Sequence, residues 1–515
     1  MINLIPKPNK VSNEENIFLP LECISSVNRN GFSDNVTSAF EERLNINLIS
    51  KEDADIILKN DPSLKEEEYI LVVNKDGIQV TASSNKGVIW ALTTLYSLLE
   101  YNQFPYVFIE DSPKYSYRGF MLDCARHFFS VEVVKNIIEQ NALVKLNTLH
   151  WHLTDDQAWR IESTTYPKLH ELSGDAFYSK EQILDIIQYA TIRGIDIIPE
   201  IDMPGHTTAA IAAYPSLSCK GEQVSPETKG GIYKTIFCAG KEETYRFAKK
   251  ILDEVCELFS DSRVHIGGDE APKDEWEQCP YCKAKLEELG YSNFEQLQGY
   301  FTKVLVDYLS EKGKTTITWN DTLKSGNASI ESPIQHWLEM GSTDLTSPFL
   351  SKGGKVIFSD MFTLYFDYLE IFSSLKKVYS YIPTIKGEEY DSCDNCLGIE
   401  ACLWSERVVE PSALYTLIYP RLFAVAEAAW TIDRNYEDFE ERLNYKLNDL
   451  CSKGIAYLPL EMCNPSEEKR IEGGLEFLKR LSAATSDGSA PIFTPEMAQQ
   501  FLINFGLEAL LKYLS

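Results

Sequence analysis

The stretch RVHIGGDEAP, residues 263–272, has the pattern of a short buried strand that ends in two adjacent acids. The apolar run Val264–Ile266 is followed by two glycines, and then by Asp269 and Glu270. Neighbouring carboxylates repel each other and lose hydration when they are buried. Two adjacent acids at the end of a buried strand are therefore unfavourable unless they have a chemical role. Taken alone, the pair is also typical of a turn that caps a helix. The rest of the chain decides between these two interpretations.

Seven other strand-like runs along the chain end in polar or aromatic residues in the same way. The eight predicted strands are Gly119–Leu122, Thr148–Leu153, Asp196–Glu200, Val264–Ile266, Thr315–Trp319, Pro333–Trp337, Lys355–Phe358 and Gly398–Leu403. Segments between them carry helix signals, such as the capping box Ser179–Gln182 and the stop at Gly194. This order predicts an α/β fold of the (β/α)8 TIM-barrel type. The alternative is a doubly wound open sheet, but its usual Gly-rich phosphate loop after the first strand is missing.

A chain of 515 residues is too long for one ordinary domain. Residues 1–111 contain the strand-like runs Glu68–Val73 and Ile78–Ala82 around a hairpin turn, and they predict a small N-terminal α/β domain. A polar stretch with the helix- and strand-breaking Pro113 marks the start of the predicted barrel, residues 112–432. Residues 433–515 predict a helical C-terminal region. Its amphipathic end could dock on the barrel or on a second subunit, so a homodimer is an open alternative.

The composition argues against several classes of partner. With 49 basic and 77 acidic residues the net charge is −28, and such a surface repels nucleic acid and anionic membranes. No apolar run reaches the roughly 20 residues of a membrane helix, and prolines interrupt the N-terminus where a signal peptide is apolar. Twelve cysteines in a chain without such a signal are better explained as reduced thiols than as disulfides. The predicted location is therefore cytoplasmic.

Residues that can bind a sugar follow the predicted strands, where the carboxyl ends of barrel strands meet. Tryptophan and tyrosine offer flat apolar faces, whereas carboxylates and an arginine offer directional hydrogen bonds. A pyranose ring presents apolar C–H faces and a rim of hydroxyls, so this combination suits a sugar. The residues concerned are Arg126, Asp155, His206, Asp269, Glu270, Trp319, Trp337, Tyr365, Asp367, Trp404 and Glu406. The strand ends therefore predict a carbohydrate site.

The motifs at these strand ends resemble those of the family 20 glycoside hydrolases, the β-N-acetylhexosaminidases. In chain order they are RGFMLDCARHFF (118–129), KLNTLHWHLTDDQAWRIE (145–162), EIDMPGH (200–206), HIGGDE (265–270), TWND (318–321), QHW (335–337) and LWSE (403–406). The resemblance covers residues 112–430, and the first 110 residues look like that family's usual N-terminal α/β domain. It implies an exo-acting enzyme that hydrolyses terminal β-linked GlcNAc or GalNAc with retention and without a cofactor.

The resemblance also implies a role for each catalytic residue. Glu270 would be the general acid and then the base, and Asp269 would hold the substrate's 2-acetamido group, whose oxygen is the nucleophile. Tyr365 would donate a hydrogen bond to the acetamido carbonyl. Asp155 and His206 would orient Glu270 and tune its acidity.

A second set of residues would bind the terminal sugar. By the resemblance these are Arg126, Trp319, Trp337, Asp367, Trp404 and Glu406. Arg126 and Glu406 would hold its outer hydroxyls, which closes the pocket and makes the enzyme exo-acting. One alternative is a narrower relative such as a lacto-N-biosidase, whose pocket would have to be open near O3. Another is an inactive sugar-binding protein, which would be expected to lose Glu270.

Two CxxC pairs stand apart from these motifs. They are Cys279–Cys282 and Cys393–Cys396, and their spacing is typical of a structural zinc site with four thiolates. The family resemblance implies no catalytic metal, so the zinc hypothesis rests on spacing alone. The alternative is that all four are free thiols.

Overall fold

The computed structural model describes residues 2–339, 344–484, 499 and 502–513. Its strands are β1 (Lys10–Pro20), β2 (Ser26–Asn28), β3 (Ile49–Ser50), β4 (Ile56–Asn60), β5 (Tyr69–Asn74), β6 (Gly77–Ala82), β7 (Gln103–Asp111), β8 (Tyr117–Asp123), β9 (Thr148–His152), β10 (Asp196–Glu200), β11 (Arg263–His265), β12 (Thr315–Trp319), β13 (Ile334–His336), β14 (Val356–Phe358), β15 (Thr384–Ile385), β16 (Glu388–Glu389) and β17 (Cys396–Leu403). Its α-helices are α1 (Ser38–Leu44), α2 (Asn85–Ser97), α3 (Val131–Leu143), α4 (Lys168–Glu171), α5 (Lys180–Thr191), α6 (Thr208–Ala213), α7 (Glu242–Leu258), α8 (Pro280–Glu288), α9 (Phe294–Glu311), α10 (Thr346–Ser351), α11 (Met361–Leu364), α12 (Leu375–Tyr379), α13 (Pro411–Ile418), α14 (Arg421–Trp430), α15 (Tyr436–Ser452), α16 (Leu460–Cys463) and α17 (Glu467–Ala484).

The first sheet is mixed and has seven strands in the order β1-β7-β5-β6-β4-β2-β3. β5 and β6 pair antiparallel with Asn74 opposite Gly77, as the hairpin pattern predicts. Gly77 has a φ of 121°, which explains the glycine at this turn. α2 packs against β5 and β6, and Ser84 caps this helix by accepting a hydrogen bond from the Gly87 N–H at 3.2 Å. The predicted N-terminal α/β domain is confirmed.

The second sheet is a closed barrel in the order β8-β9-β10-β11-β12-β13-β14-β17, and every neighbouring pair is parallel. The predicted TIM barrel is therefore confirmed. β10 and β12 have the predicted bounds, and the other six strands differ by one or two residues at one or both ends. Because the carboxyl ends of all eight strands lie at one end of the barrel, the loops that follow them meet at one opening.

Buried ion pairs join the N-terminal sheet to the barrel. Arg118 on β8 donates to the two carboxylate oxygens of Glu67 at 2.6 and 3.1 Å, and Lys145 Nζ is 3.0 Å from Asp111 Oδ2. The guanidinium of Arg118 also lies 4.9 Å from the ring of Trp430. These contacts compensate the lost hydration of both cations, and they make removal of one partner costly. The N-terminal sheet is therefore a fixed support for the base of the barrel.

After β17 the chain is helical, as predicted. α14 is buried along its length, and Arg442 on α15 donates to Glu427 Oε1 at 2.6 Å. Part of α17 packs with Phe505 and Phe372 in a separate apolar cluster. The predicted C-terminal region also includes residues 485–498, 500–501 and 514–515, which lie outside the described residues. Within the described ranges, none of the helices combines the length and the apolar character that crossing a bilayer requires.

Candidate active site

A tight loop after β11 carries the two adjacent acids. Gly267 and Gly268 have φ values of 64° and 96°, and Glu270 is itself left-handed at 43°. A Cβ on Gly267 would lie 1.7 Å from Asp202 Oδ1, the atom that accepts a hydrogen bond from the Gly268 N–H at 3.0 Å. The backbone therefore turns directly against Asp202, and a side chain at position 267 would prevent this.

Asp269 and Glu270 converge around the ring of His206. His206 Nε2 is 3.8 Å from Asp269 Oδ2 and 3.6 Å from Glu270 Oε2. In a regular strand neighbouring side chains point to opposite faces, but the left-handed backbone of this loop brings both acids together. Asp269 is buried, whereas the Glu270 side chain is 31% exposed. Both carboxyls can therefore contact one bound molecule, and Glu270 lies nearer to solvent.

Two further acids hold His206 on its other ring nitrogen. His206 Nδ1 is 3.3 Å from Asp155 Oδ1 and 3.3 Å from Asp156 Oδ2. Although burial opposes it, the charge of Asp155 raises the pKa of His206 well above the usual histidine value. His206 is therefore a cation between two groups of acids. A continuous path of contacts runs from Asp155 through His206 to Glu270.

Asp155 also connects this path to Arg126. Its Oδ2 is 2.8 Å from an Arg126 Nη and 2.7 Å from His152 Nε2. Burial alone would raise the pKa of Asp155, but Arg126 and His206 hold it below its usual value. Asp155 is therefore a fixed negative charge that orients two cations. The guanidinium of Arg126 lies 4.9 Å from the ring of Trp404, which forms the next part of the site.

Asp269 is buried without a full set of hydrogen bonds. Its Oδ1 has no partner among the residues that the structure describes. Burial raises the pKa of Asp269 to about 7, and the negative charge of Asp321 adds to this rise. The charge of His206 opposes it. A buried acceptor without a donor is unfavourable in the free protein, so this oxygen is placed to accept an N–H or O–H from a ligand.

Aromatic rings form one wall of the same site. Trp337 and Tyr365 are stacked with ring centroids 6.2 Å apart and an angle of 11° between them. Trp404 lies 6.1 Å from Tyr365 and 5.9 Å from Trp319. Burial raises the pKa of Tyr365 well above its usual value, so its phenol stays neutral and can donate a hydrogen bond. The four rings belong to one apolar cluster, and the Tyr365 hydroxyl gives it a polar group.

Two buried acids outside the predicted set of site residues hold side chains from other barrel strands, and one of them holds the ring of Trp319. Glu200 Oε1 accepts from Trp319 Nε1 at 2.8 Å and lies 2.9 Å from His265 Nδ1. Glu400 Oε1 lies 2.9 Å from His150 Nδ1 and accepts from the Gln335 side chain at 2.5 Å. The signal that could have identified these two glutamates in the sequence is an acid within an apolar strand or at its end. A buried acid is tolerated there if hydrogen-bond partners are present.

Asp367 and Glu406 lie together at another edge of the site. Burial and the negative charge of Glu406 raise the pKa of Asp367 to about 7. Asp367 Oδ1 is a second buried acceptor that lacks a donor within the described parts of the chain. A Cβ on Gly230 would come within 2.6 Å of Glu406 Cγ, so the long loop after β10 lies against this acid. The site is therefore covered on the side of Glu406.

The eleven site residues predicted from the sequence thus lie around one opening of the barrel. His206 contacts Asp269, Glu270 and Asp155, and Asp155 contacts Arg126. The guanidinium of Arg126 lies over Trp404, whose ring neighbours those of Trp319 and Tyr365, and Tyr365 stacks with Trp337. The charge of Glu406 acts on both Asp367 and Arg126. The geometry assembles these residues, and their individual roles stay predictions.

The hypothesis of one zinc site formed by Cys279, Cys282, Cys393 and Cys396 left open whether the two CxxC pairs meet, and the structure does not bring them together. Cys396 begins β17 and so lies at the amino end of the barrel, whereas Cys279 and Cys282 follow the carboxyl end of β11. The sulfur atoms of Cys279 and Cys282 instead lie beside those of two other cysteines, Cys219 and Cys238. Spacing within each CxxC pair does not reveal which loops meet, and Cys219 and Cys238 carry no such spacing, so the sequence alone could not identify them.

Two family models match the chain. The family described as "Glycosyl hydrolase family 20, catalytic domain" matches residues 115–433, which is more than half of the chain. The one described as "Glycosyl hydrolase family 20, domain 2" matches residues 1–112. The first match covers the barrel and the second covers the N-terminal sheet.

Curated proteins named beta-hexosaminidase are similar over most of the chain. One from Porphyromonas gingivalis is 37% identical over 429 residues, which are 77% of this chain and 55% of that protein. One from Vibrio furnissii is 34% identical over 410 residues, which are 72% of this chain and 67% of that protein. The match to the first relative thus spans little more than half of that protein's own length.

Solved structures share the fold. A family 20 exo β-N-acetylglucosaminidase from Vibrio harveyi, in complex with N-acetylglucosamine, has a TM-score of 0.79 at 32% identity, covering 89% of this chain and 78% of that one. A β-N-acetylhexosaminidase from Bacteroides fragilis has a TM-score of 0.81 at 29% identity, covering 90% of this chain and 99% of that one. The ordered motifs, the closed barrel and these matches lead to one conclusion: the chain belongs to glycosyl hydrolase family 20.

Proposed function

We propose that the chain is an exo-acting β-N-acetylhexosaminidase, which removes terminal non-reducing GlcNAc or GalNAc from β-linked oligosaccharides or glycoconjugates. One observation carries this proposal: two acids converge on His206, and one of them, Asp269, keeps a buried oxygen without a donor in the described parts of the chain. An acetamido N–H would supply that donor. The similar proteins named beta-hexosaminidase support the same class of substrate.

In the first step the substrate's own acetamido group is the nucleophile, as the family implies. Its carbonyl oxygen attacks C1, and Glu270 donates a proton to the glycosidic oxygen as the bond from C1 to that oxygen breaks. Glu270 suits this role because its side chain reaches solvent, where the leaving group departs. The product is a cyclic oxazolinium ion. Asp269 accepts the acetamido N–H and faces the positive charge that develops on the new ring.

In the second step the Glu270 carboxylate takes a proton from water, and this water attacks C1 from the side that the leaving group has vacated. The bond between C1 and the acetamido oxygen breaks, so the acetamido group is restored. Two successive inversions at C1 give retention of the β configuration. His206 lies 3.6 Å from Glu270 Oε2, and as a cation fixed by Asp155 it orients this carboxyl in both of its forms.

The aromatic pocket holds the acetamido group in the reactive position. The neutral phenol of Tyr365 is a donor for the acetamido carbonyl, and the stacked ring of Trp337 limits where the methyl group can lie. Trp337 is itself fixed, because its Nε1 donates to Asp321 Oδ2 at 2.9 Å. Holding the carbonyl oxygen near C1 makes the attack effectively intramolecular, which is a large part of the expected rate enhancement.

Exo action follows from groups that cover the other end of the sugar. Arg126, buried between Asp155 and Trp404, and the pair Asp367 and Glu406 are placed to bind the outer hydroxyls. A lacto-N-biosidase needs space for a second sugar beyond O3. The contact between Glu406 and the loop at Gly230 favours a pocket for a single sugar instead.

The proposal is tested with a matched pair of aryl glycosides, the β-N-acetylglucosaminide and the plain β-glucoside. We expect cleavage of the acetamido sugar, and at least ~10³-fold slower cleavage of the glucoside, because the glucoside lacks the internal nucleophile. Initial rates of phenol release give both values. Equal rates would exclude substrate assistance. No cleavage of either substrate would favour the inactive sugar-binding protein.

The acidic limb of the pH profile should report Asp269. Its carboxylate is the working form and its pKa is raised to about 7, so kcat/KM is expected to fall as the pH drops below about 7. Asp321→Asn removes a negative charge that contributes to this raised pKa. The lower pKa should move the acidic limb to lower pH. Profiles of kcat/KM for the variant and the wild type measure the shift.

The matched control for this prediction is Asp274→Asn, which removes the charge of an exposed acid in the same loop. Its profile should coincide with that of the wild type. Asp321 also anchors Trp337, so the variant can have a raised KM, but this change alone does not displace the limb along the pH axis. If the acidic limb of the Asp321→Asn profile stays in place or moves to higher pH, the assignment of this limb to Asp269 is contradicted.

A further inference from the structure

Four cysteines converge from the segment between β10 and α7 and from the segment between β11 and α9, which also carry His206 and Glu270. The sulfur of Cys282 is 3.5 Å from that of Cys238 and 3.8 Å from that of Cys219, and Cys238 is 3.7 Å from Cys279. All four sulfur atoms lie within 4.8 Å of one another. Cys238, Cys279 and Cys282 are buried, Cys219 is partly buried, and none forms a disulfide.

These distances match those of a tetrahedral zinc site. Zinc–thiolate bonds of about 2.3 Å place the four sulfur atoms of a tetrahedron roughly 3.8 Å apart. A disulfide instead requires a bond of about 2.05 Å between two sulfurs, and it would leave the other two unexplained. Four free thiols have no comparable reason to share one centre, because S–H groups are weak donors and weak acceptors.

We propose that Cys219, Cys238, Cys279 and Cys282 bind one structural zinc ion, which joins the loop after β10 to the loop after β11. Binding would release the four thiol protons to solvent and leave four thiolates on the metal. A closed set of four thiolates has no open position for water or substrate, so the ion would be structural and not catalytic. The proposal concerns a site outside the catalytic pocket and does not depend on the glycosidase activity.

The surroundings of the four sulfurs suit a metal centre with a net negative charge. Cys279 is the N-cap residue of α8, so the positive end of this helix faces the thiolates. The backbone N–H of Gly240 donates to the Cys238 sulfur. A Cβ on Gly240 would lie 2.2 Å from the carbonyl carbon of Tyr281, so this glycine allows the two loops to approach closely. The cluster is therefore a packed junction between the loops.

The same junction holds the loops that carry catalytic groups. Trp276, between Glu270 and the CxxC pair, donates to the carbonyl of Phe237 at 2.9 Å. The Phe237 N–H donates in turn to the carbonyl of Pro204 at 3.0 Å, close in sequence to His206. The proposed ion would thus fix the position of Glu270 relative to His206, and this makes the cysteines positioning residues.

Metal content of the purified full chain tests the proposal directly. We expect one zinc per chain by metal mass spectrometry. Cys279→Ser together with Cys282→Ser should abolish it. The matched control, Cys393→Ser with Cys396→Ser, changes a CxxC pair outside the cluster and should leave one zinc per chain. Wild-type protein with iron in place of zinc, or equal loss of zinc from both double variants, would overturn the proposal.

Cobalt substitution keeps the test independent of how the variants fold. After removal of zinc from the reduced wild type, added Co²⁺ should give the thiolate charge-transfer absorption and the visible bands of tetrahedral cobalt. Protein that is purified without zinc and also takes up no cobalt would overturn the proposal. Two disulfides among these four cysteines would overturn the proposal as well. Thiol counting before and after reduction would detect them.

The positioning role has its own readout. Removing zinc from the wild type with a chelator should lower the midpoint of thermal unfolding and reduce kcat on the order of 10²-fold, with a smaller change in KM. Added zinc should restore both. The metal content and the unfolding midpoint do not depend on any glycoside, so a failure of this proposal is distinguishable from a failure of the proposed activity. An unchanged midpoint and kcat after complete removal would overturn the positioning role.

Discussion

Glu270→Gln should lower kcat/KM on oligosaccharides by ~10³-fold, which corresponds to about 4 kcal/mol of transition-state stabilisation. The glutamine has the same shape but cannot donate a proton to the leaving sugar oxygen, which is a poor leaving group without protonation. The left-handed backbone at this position and the contact with His206 remain available to glutamine. We therefore expect a folded protein with nearly unchanged sugar binding.

The dependence on the leaving group separates this role from a merely structural one. A dinitrophenyl leaving group departs without protonation, so oxazolinium formation should stay fast in the variant. Its hydrolysis still needs the base, so a burst of phenol followed by slow turnover is expected. Glu277→Gln, an exposed glutamate in the same loop, is the matched control and should behave as the wild type. An equal loss on all leaving groups would contradict the assignment of Glu270 as the acid.

The barrel could be predicted from the sequence because each strand is short, apolar and followed by a polar residue. β10 and β12 show the predicted bounds, since Glu200 and Trp319 end their apolar runs sharply. β17 extends two residues beyond its prediction at the amino end. There Cys396 pairs with Val356 of β14, and the register shifts before Gly398 pairs with Ile357. Such pairing depends on a distant strand, and no local pattern reports it.

In the first sheet, too, pairing with a distant strand limits what the sequence can predict. The β5–β6 hairpin and α2 have clear local signals, but β1 carries a register shift between Asn13 and Phe18, which disturbs the alternation of apolar residues. Its partner β7 is far away in the sequence. Strands that are defined by a remote partner and interrupted by a bulge leave little period-2 pattern to detect.

The residues of the candidate site that follow the barrel strands could be predicted from the sequence, but the buried acids that support them could not. Glu200 and Glu400 were not selected, because an acid inside a barrel is unfavourable until its partners are known, and these come from other strands. The cysteine cluster could not be predicted for the same reason, because its members come from two loops that are far apart in the sequence. Cys219 and Cys238 have no CxxC spacing, so only the folded chain brings them to Cys279 and Cys282.

The second large effect is expected for Asp269→Asn, which should reduce kcat by ~10²–10³-fold, or about 2.7–4 kcal/mol by analogy with other preorganised charge-stabilising groups. The substrate acetamido group is neutral, and the positive charge appears only as the oxazolinium ring forms. Asparagine can still accept the N–H but carries no charge to stabilise the ion. The loss should therefore fall on kcat, with a smaller change in KM.

Asp269 is suited to this role because the protein leaves it incompletely satisfied. Burial and the neighbouring acids raise its pKa, and its Oδ1 finds no donor in the described part of the free protein. The cationic intermediate supplies both the N–H and the opposite charge, so the variant should weaken binding of a cyclic oxazolinium analogue more than binding of the free sugar. Asp274→Asn should change neither. If the binding of both ligands is weakened equally, Asp269 only shapes the pocket. A charge that acts on the intermediate must favour the cationic analogue over the neutral sugar.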